Sequence, residues 1–137
     1  MDYLARREHA RGELLAKLTG FGFETGVAEE AIASLADDGL QSDERFVEAF
    51  VRSRVQRGKG PMKIRAELRE HGVDDALIDA GLDEAAADWC ELARAVREKK
   101  FGAGVPADFA TKARQMRFLQ SRGFESGHIR AAVSDDV

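Results

Sequence analysis

Cations are the side chains this sequence gathers most tightly. Arg52, Arg54, Arg57, Lys59, Lys63 and Arg65 surround one predicted helix-turn-helix junction, and Arg97, Lys99, Lys100, Lys112, Arg114 and Arg117 surround a second. Positive charge at regular intervals suits a partner that is itself repetitive, a nucleic-acid backbone or a protein filament. The same residues can instead pair with Asp or Glu of a neighbouring unit, or stand as solvated faces, and both readings stay open at this level. Bond-making chemistry has less to stand on. Gly58-Lys59-Gly60 is too short for a phosphate-binding loop and lacks its following Ser or Thr, so a helix end and turn before Pro61 explains it better. His9, His71 and His128 lie far apart with no carboxylate-histidine spacing of a zinc helix. Cys90 follows Trp89 with no partner indicated, which fits a partly buried thiol. The expectation is a non-catalytic protein with no metal and no cofactor.

The formal charge of -4 over 137 residues conceals a banded pattern. Residues 1–44 carry 4 basic and 10 acidic side chains, 45–72 carry 8 and 3, 73–91 carry none and 7, and 92–122 carry 8 and 2. Net charge argues weakly against bulk nucleic-acid binding, while the bands leave room for two local positive patches. A single cysteine excludes an internal disulfide framework. No apolar run nears the roughly 20 residues of a membrane span, and the N-terminus does not read as a signal peptide. These features predict a cytoplasmic protein with no membrane contact.

The elements that must position the cations follow a repeat. Gly22, Gly72 and Gly123 each have apolar residues four before, one after, six after and ten after: Leu18, Phe23, Ala28 and Ile32; Leu68, Val73, Ile78 and Leu82; Leu119, Phe124, Ile129 and Val133. Leu14 and Ile64 stand eight before the first two glycines, and Met116 is one step off in the third. Four offsets repeated three times mark a helical repeat, with no period-2 strand alternation anywhere. The predicted fold is all-α: tandem three-helix repeats at 1–42, 43–84 and 85–137 forming an elongated, curved helical stack.

Within that frame the spacing predicts helices over Glu13–Thr19, Val27–Leu35 and residues 44–57, the last capped by Ser42 or Asp43 and buried through Phe46, Ala49, Phe50 and Val55. Pro61 opens a helix that buries Ile64 and Leu68, and another carries Leu77, Ile78 and Leu82. A helix from Ala85 to Lys100 packs Trp89, Leu92, Ala93 and Val96, with Phe101 also in the core. Helices over 107–121 and from about Glu125 follow, and the end Ser134–Val137 is expected to fray. Gly72 and Gly123 should adopt the left-handed conformation of a helix end.

Three stretches in order resemble the RecX family of recombinase regulators. They are Arg7-Glu8-His9-Ala10-Arg11-Gly12-Glu13-Leu14-Leu15-Ala16-Lys17-Leu18 with Gly22-Phe23; Asp43-Glu44-Arg45-Phe46-Val47 with Arg57-Gly58-Lys59-Gly60-Pro61-Met62-Lys63-Ile64-Arg65-Ala66-Glu67-Leu68 and Gly72-Val73; and Lys99-Lys100-Phe101 with Arg117-Phe118-Leu119-Gln120-Ser121-Arg122-Gly123-Phe124. The resemblance implies tandem three-helix units and binding to the RecA nucleoprotein filament. Family members lodge in its groove, limit its growth and reduce recombinase, ATPase and coprotease activities. The expected state is a monomer, and the acidic total of this chain points to weak binding of single-stranded DNA alone. Carried over by position, Arg57, Lys59, Lys63 and Arg65, with Lys100, Arg117 and Arg122, become the contacts to filament or DNA, and Gly58, Gly60, Gly72 and Gly123 become structural. The competing reading is a small nucleic-acid-binding helical-repeat protein. Family members also carry a longer lead-in and a Ser where Ala10 stands. That leaves a helical stub at residues 1–9 and removes a cap worth roughly 1 kcal/mol.

Overall fold

The computed structural model describes residues 8–134, and all regular structure among them is helical. The helices are α1 Arg11–Gly20, α2 Thr25–Asp37, α3 Asp43–Gln56, α4 Pro61–Glu70, α5 Asp75–Glu84, α6 Trp89–Phe101, α7 Phe109–Ser121 and α8 Ser126–Ala132. The expected stub at residues 1–9 lies almost wholly outside the described residues, as does most of the tail expected to fray.

Capping sets several of these boundaries. Asp88 accepts the Glu91 N–H at 3.0 Å, so α6 starts at Trp89 and not at Ala85. Asp108 accepts the Thr111 N–H at 2.9 Å, which starts α7 at Phe109. Ser42 caps α3 through the Arg45 N–H at 3.3 Å. Asp43 serves a different helix, its carboxylate accepting the Arg11 N–H at 2.7 Å at the start of α1. Glu13 reaches back to the Ala10 N–H at 3.3 Å. Two donors at that helix start therefore find carboxylates although Ala10 has no side chain to offer.

Two compact units emerge. The first comprises residues 1–51 with 67–84, and the second comprises 52–66 with 85–137. The boundary runs through α3 and α4, so each of these two helices contributes to both units, while α5 belongs to the first.

The first unit buries Leu14, Ala28, Ile32, Phe46, Val47, Phe50, Val51, Leu68, Val73, Ile78 and Leu82. Helix α3 thus uses Val47 and Val51 where the stripe had suggested Ala49 and Val55. It packs on two sides, and Val47 lies against Gly81 of α5, where any Cβ would collide with it. Phe46 and Phe50 meet at 5.6 Å, and the His71 ring stands edge-on to both. In the second unit Ala93, Leu119, Phe124, Ile129, Ala132 and Val133 form the core, with Trp89, Leu92, Val96, Met116 and Phe118 packed around it. Helix α6 packs against α7 and α8.

The repeat survives in the turns. After each of the three helices α1, α4 and α7, an N–H one residue past the glycine bonds a carbonyl four residues before it: Phe23 to Leu18 at 3.1 Å, Val73 to Leu68 at 3.2 Å, and Phe124 to Leu119 at 3.3 Å. The intervening glycines have φ of 97°, 79° and 96°, which L side chains rarely adopt. The register is stricter than the hydrophobic pattern suggested. Eight residues before Gly123 stands Gln115, 4% exposed, so a polar residue and not Met116 occupies the place of Leu14 and Ile64.

Leu68 is fully buried whereas Leu18, its counterpart, is half-buried. Leu68→Ala should therefore cost about 2–5 kcal/mol in urea melts, and Leu18→Ala clearly less. Equal losses would contradict the assigned core. A second expectation concerns acid. The Thr111 N–H bond holds the Asp108 carboxyl below the usual carboxylate range. Its contribution is complete above the unfolded-chain value of about 3.9 and is lost as pH falls through the lower folded value. The melting difference between parent and Asp108→Ala should accordingly shrink between about pH 6 and pH 2; a constant difference would refute this role.

Candidate polyanion-binding surface

Positions 57, 59, 63 and 65 lie at the α3–α4 junction, and 100, 117 and 122 lie around α6 and α7. All seven fall in the second unit. The sequence placed these groups at two separate junctions, and the fold brings the two turns into contact.

The contact is made by backbone. Gly60 N–H donates to the Arg122 carbonyl at 2.7 Å, and Met62 N–H donates to the Gly123 carbonyl at 2.9 Å. These are donors at the start of α4 that the helix itself cannot satisfy. They are answered by the turn after α7, so this helix start is not a vacant anion site. The approach leaves no room for side chains: a Cβ on Gly60 would run into the Gly123 backbone, and a Cβ on Gly123 would lie 2.6 Å from the Lys63 nitrogen. A Cβ on Gly58 would be 2.8 Å from Val96, so the turn also rests on α6.

Side chains reinforce the clasp. The Arg122 guanidinium donates to the Arg57 carbonyl at 3.0 Å and lies 5.9 Å from the Phe118 ring centroid. Lys100 Nζ lies 5.5 Å from the same centroid, and Phe101 meets that ring edge-on at 5.4 Å. Lys63 Nζ is 3.4 Å from the Ser121 carbonyl. Arg122 thus ties the two turns together, while Arg57, Lys100 and Arg117 are exposed. Lys59 and Arg65 are half-buried and engaged within the protein.

One expected surface cation is internal. Arg97 is 2% exposed and donates to Ala132 O at 2.8 Å and Gly104 O at 2.9 Å, with Gly102 O and Ala103 O at 3.4 Å. Its charge is matched by carbonyl dipoles and by Glu98 at 3.8 Å. The signal was available: Arg97 lies four residues after Ala93, on the same buried stripe, and ahead of a loop whose glycines leave carbonyls uncovered.

The fold also sorts the charge bands. By sequence the first unit holds 6 basic and 18 acidic residues, a net -12, and the second holds 15 and 7, a net +8. The basic side chains are thus concentrated in the second unit although the whole chain is acidic.

Comparison with known proteins decides the family. The profile of the RecX second three-helix domain matches residues 42–82, that of the third matches 87–133, and that of the first matches 1–35. The chain belongs to the RecX family. The regulatory protein RecX of Halorhodospira halophila is 52% identical over 131 residues, covering 96% of this chain and 81% of the relative. Its counterpart in Stenotrophomonas maltophilia is 43% identical over 136 residues, covering 99% and 83%. The RecX crystal structure from Lactobacillus salivarius shares the fold at a TM-score of 0.81 with 23% identity, covering 96% of this chain and 88% of that one. A second RecX crystal structure matches at 0.79 with 22% identity, covering 96% and 66%. In RecX terms, the clasp joins the entry to the second helix of the second domain with the turn that follows the second helix of the third. Among the described residues no helix is long and apolar enough to cross a membrane.

The clasp gives a test that backbone strain alone does not. Gly22 and Gly123 have nearly the same φ, but only Gly123 has neighbours where a Cβ would go. Gly22→Ala should cost about 1–2 kcal/mol for the left-handed backbone, and Gly123→Ala about 1–3 kcal/mol more for the forced approach. Equal costs in chemical melts would mean that the clasp adds nothing.

Proposed function

We propose that this RecX-family chain is a non-catalytic regulator that binds the RecA–DNA filament through its second unit and represses recombinase, ATPase and coprotease activities. The observation that carries the reading is the joining of two cationic junctions into one surface on a unit of net charge +8. A filament repeats its charge along its length, and a surface with several fixed cations engages it at several points without reshaping a pocket. Regulation then acts by occupancy, since a bound protein obstructs what the filament must do next. Arg57, Lys59, Lys63, Arg65, Lys100 and Arg117 are the contacts we assign, and Arg122 holds them in place. The natural setting of such a regulator is the cytoplasm.

Binding to bare nucleic acid is the rival use of the same surface, and the acidic first unit disfavours it. The first unit carries a net charge of -12 and the whole chain -4, so affinity for single-stranded DNA alone should be weak.

The test is the charge-reversed variant Lys59→Glu/Lys63→Glu/Arg65→Glu, with helical content checked by circular dichroism. It should inhibit RecA-dependent ATP hydrolysis far less than the parent at matched concentration and salt. If the lysines and arginine meet phosphate, each lost contact lowers the log–log salt slope by roughly 0.7–0.9. If they meet filament carboxylates, affinity falls with little change in binding to bare DNA. Undiminished inhibition by the triple variant would remove this surface from the mechanism.

A further inference from the structure

The three turns share hydrogen bonds and backbone angles, yet only two of them are covered. At Gly72 the covering element is the start of α1: a Cβ on Gly12 would lie 3.2 Å from Gly72 Cα and 3.1 Å from the His71 carbonyl. At Gly123 it is the start of α4, through the clasp. At Gly22 nothing lies within 4 Å of where a Cβ would stand. The side chains record the difference. Val73 and Phe124, each one residue past its glycine, are 5% and 1% exposed, whereas Phe23 is 53% exposed. Beside it Phe21 is 80% exposed and Val27 53%. The local turn does not cause this, because its bonds match those of the other two. Among the described residues no helix start stands over this turn as α1 and α4 stand over the other two.

One helix start on the same chain is left uncovered. Helix α7 opens with Phe109, 86% exposed, followed by Lys112 and Arg114. It begins one turn further from its glycine than α1 and α4 do from theirs. It therefore presents an aromatic side chain to a partner in place of bare backbone donors. The two uncovered features carry opposite charge: the Gly22 turn belongs to the unit of net -12 and has Glu24, Glu29 and Glu30 nearby, and Phe109 belongs to the unit of net +8.

We infer that the exposed apolar turn at Phe21, Phe23 and Val27 is the docking site for the Phe109 end of α7 from a second copy of this chain. The contact is head-to-tail, so each copy keeps one unsatisfied end of each kind and association can propagate. It extends between copies the pattern that α1 and α4 follow within one. A patch of this size gives a weak, transient interface. Copies held close together along a repetitive partner associate through raised effective concentration.

The experiment needs no filament, so its outcome is independent of the proposed function. In a Cys90→Ser background, Thr25→Cys and Ala110→Cys proteins, which keep Phe21, Phe23, Val27 and Phe109, are mixed at high micromolar concentration and treated with a short bismaleimide. Both sites are exposed, so neither change should disturb folding. The expected result is a heterotypic product several-fold more abundant than either homotypic one, and a ladder of multimers from the doubly substituted protein. Lys112→Glu/Arg114→Glu in the Ala110→Cys partner should cut the heterotypic yield several-fold. Glu29→Lys/Glu30→Lys in the other partner should restore it. Homotypic products in equal amount, or heterotypic yield no higher than from a Ser126→Cys control, would overturn the inference.

Discussion

Two backbone hydrogen bonds, Gly60 N–H to Arg122 O and Met62 N–H to Gly123 O, decide how the charge of this chain can be used. They satisfy donors that α4 would otherwise leave unpaired, and they do so with carbonyls from a turn some sixty positions away in sequence. The geometry requires glycine on both sides. A side chain at position 60 or 123 would meet the backbone opposite and force the two turns to shift. Arg122 shows how closely charge and structure are bound together here. Its guanidinium spans the two turns, bonding the Arg57 carbonyl while covering Phe118.

The acidic first unit follows the same construction with different chemistry. Gly12 approaches Gly72 backbone to backbone, and His71 Nδ1 stands 3.4 Å from a Glu13 oxygen. A glycine-mediated contact between a helix start and a left-handed turn is thus used in each unit, and the charges around it differ. The net -4 of the whole chain is the remainder of two larger and opposite values. Overall composition is consequently a poor guide to what each part attracts.

Much of this was legible in the sequence. Apolar offsets around Gly22, Gly72 and Gly123 identified the helical class, the turns and most buried positions, because a repeated turn imposes a repeated register. The resemblance identified the RecX family, which periodicity alone cannot contain. Three features were not legible. The approach of Gly60 to Gly123 is a long-range contact, and glycine next to Pro61 is sufficiently explained by the local turn. Arg97 was counted with the surface cations because residue type outweighed its position four past Ala93. Phe23 matched Val73 and Phe124 in every local respect, so only the absence of a covering helix reveals that its burial differs.

On the proposed reading the second unit, organised by the clasp, meets the filament. Amide hydrogen exchange of the chain, free and bound to RecA assembled on single-stranded DNA, tests it directly. Added protection is expected in the segments around residues 57–65 and 99–122, on the exposed side of the clasp. Unchanged exchange in both segments, with protection gained only between residues 11 and 51 or 67 and 84, would contradict it.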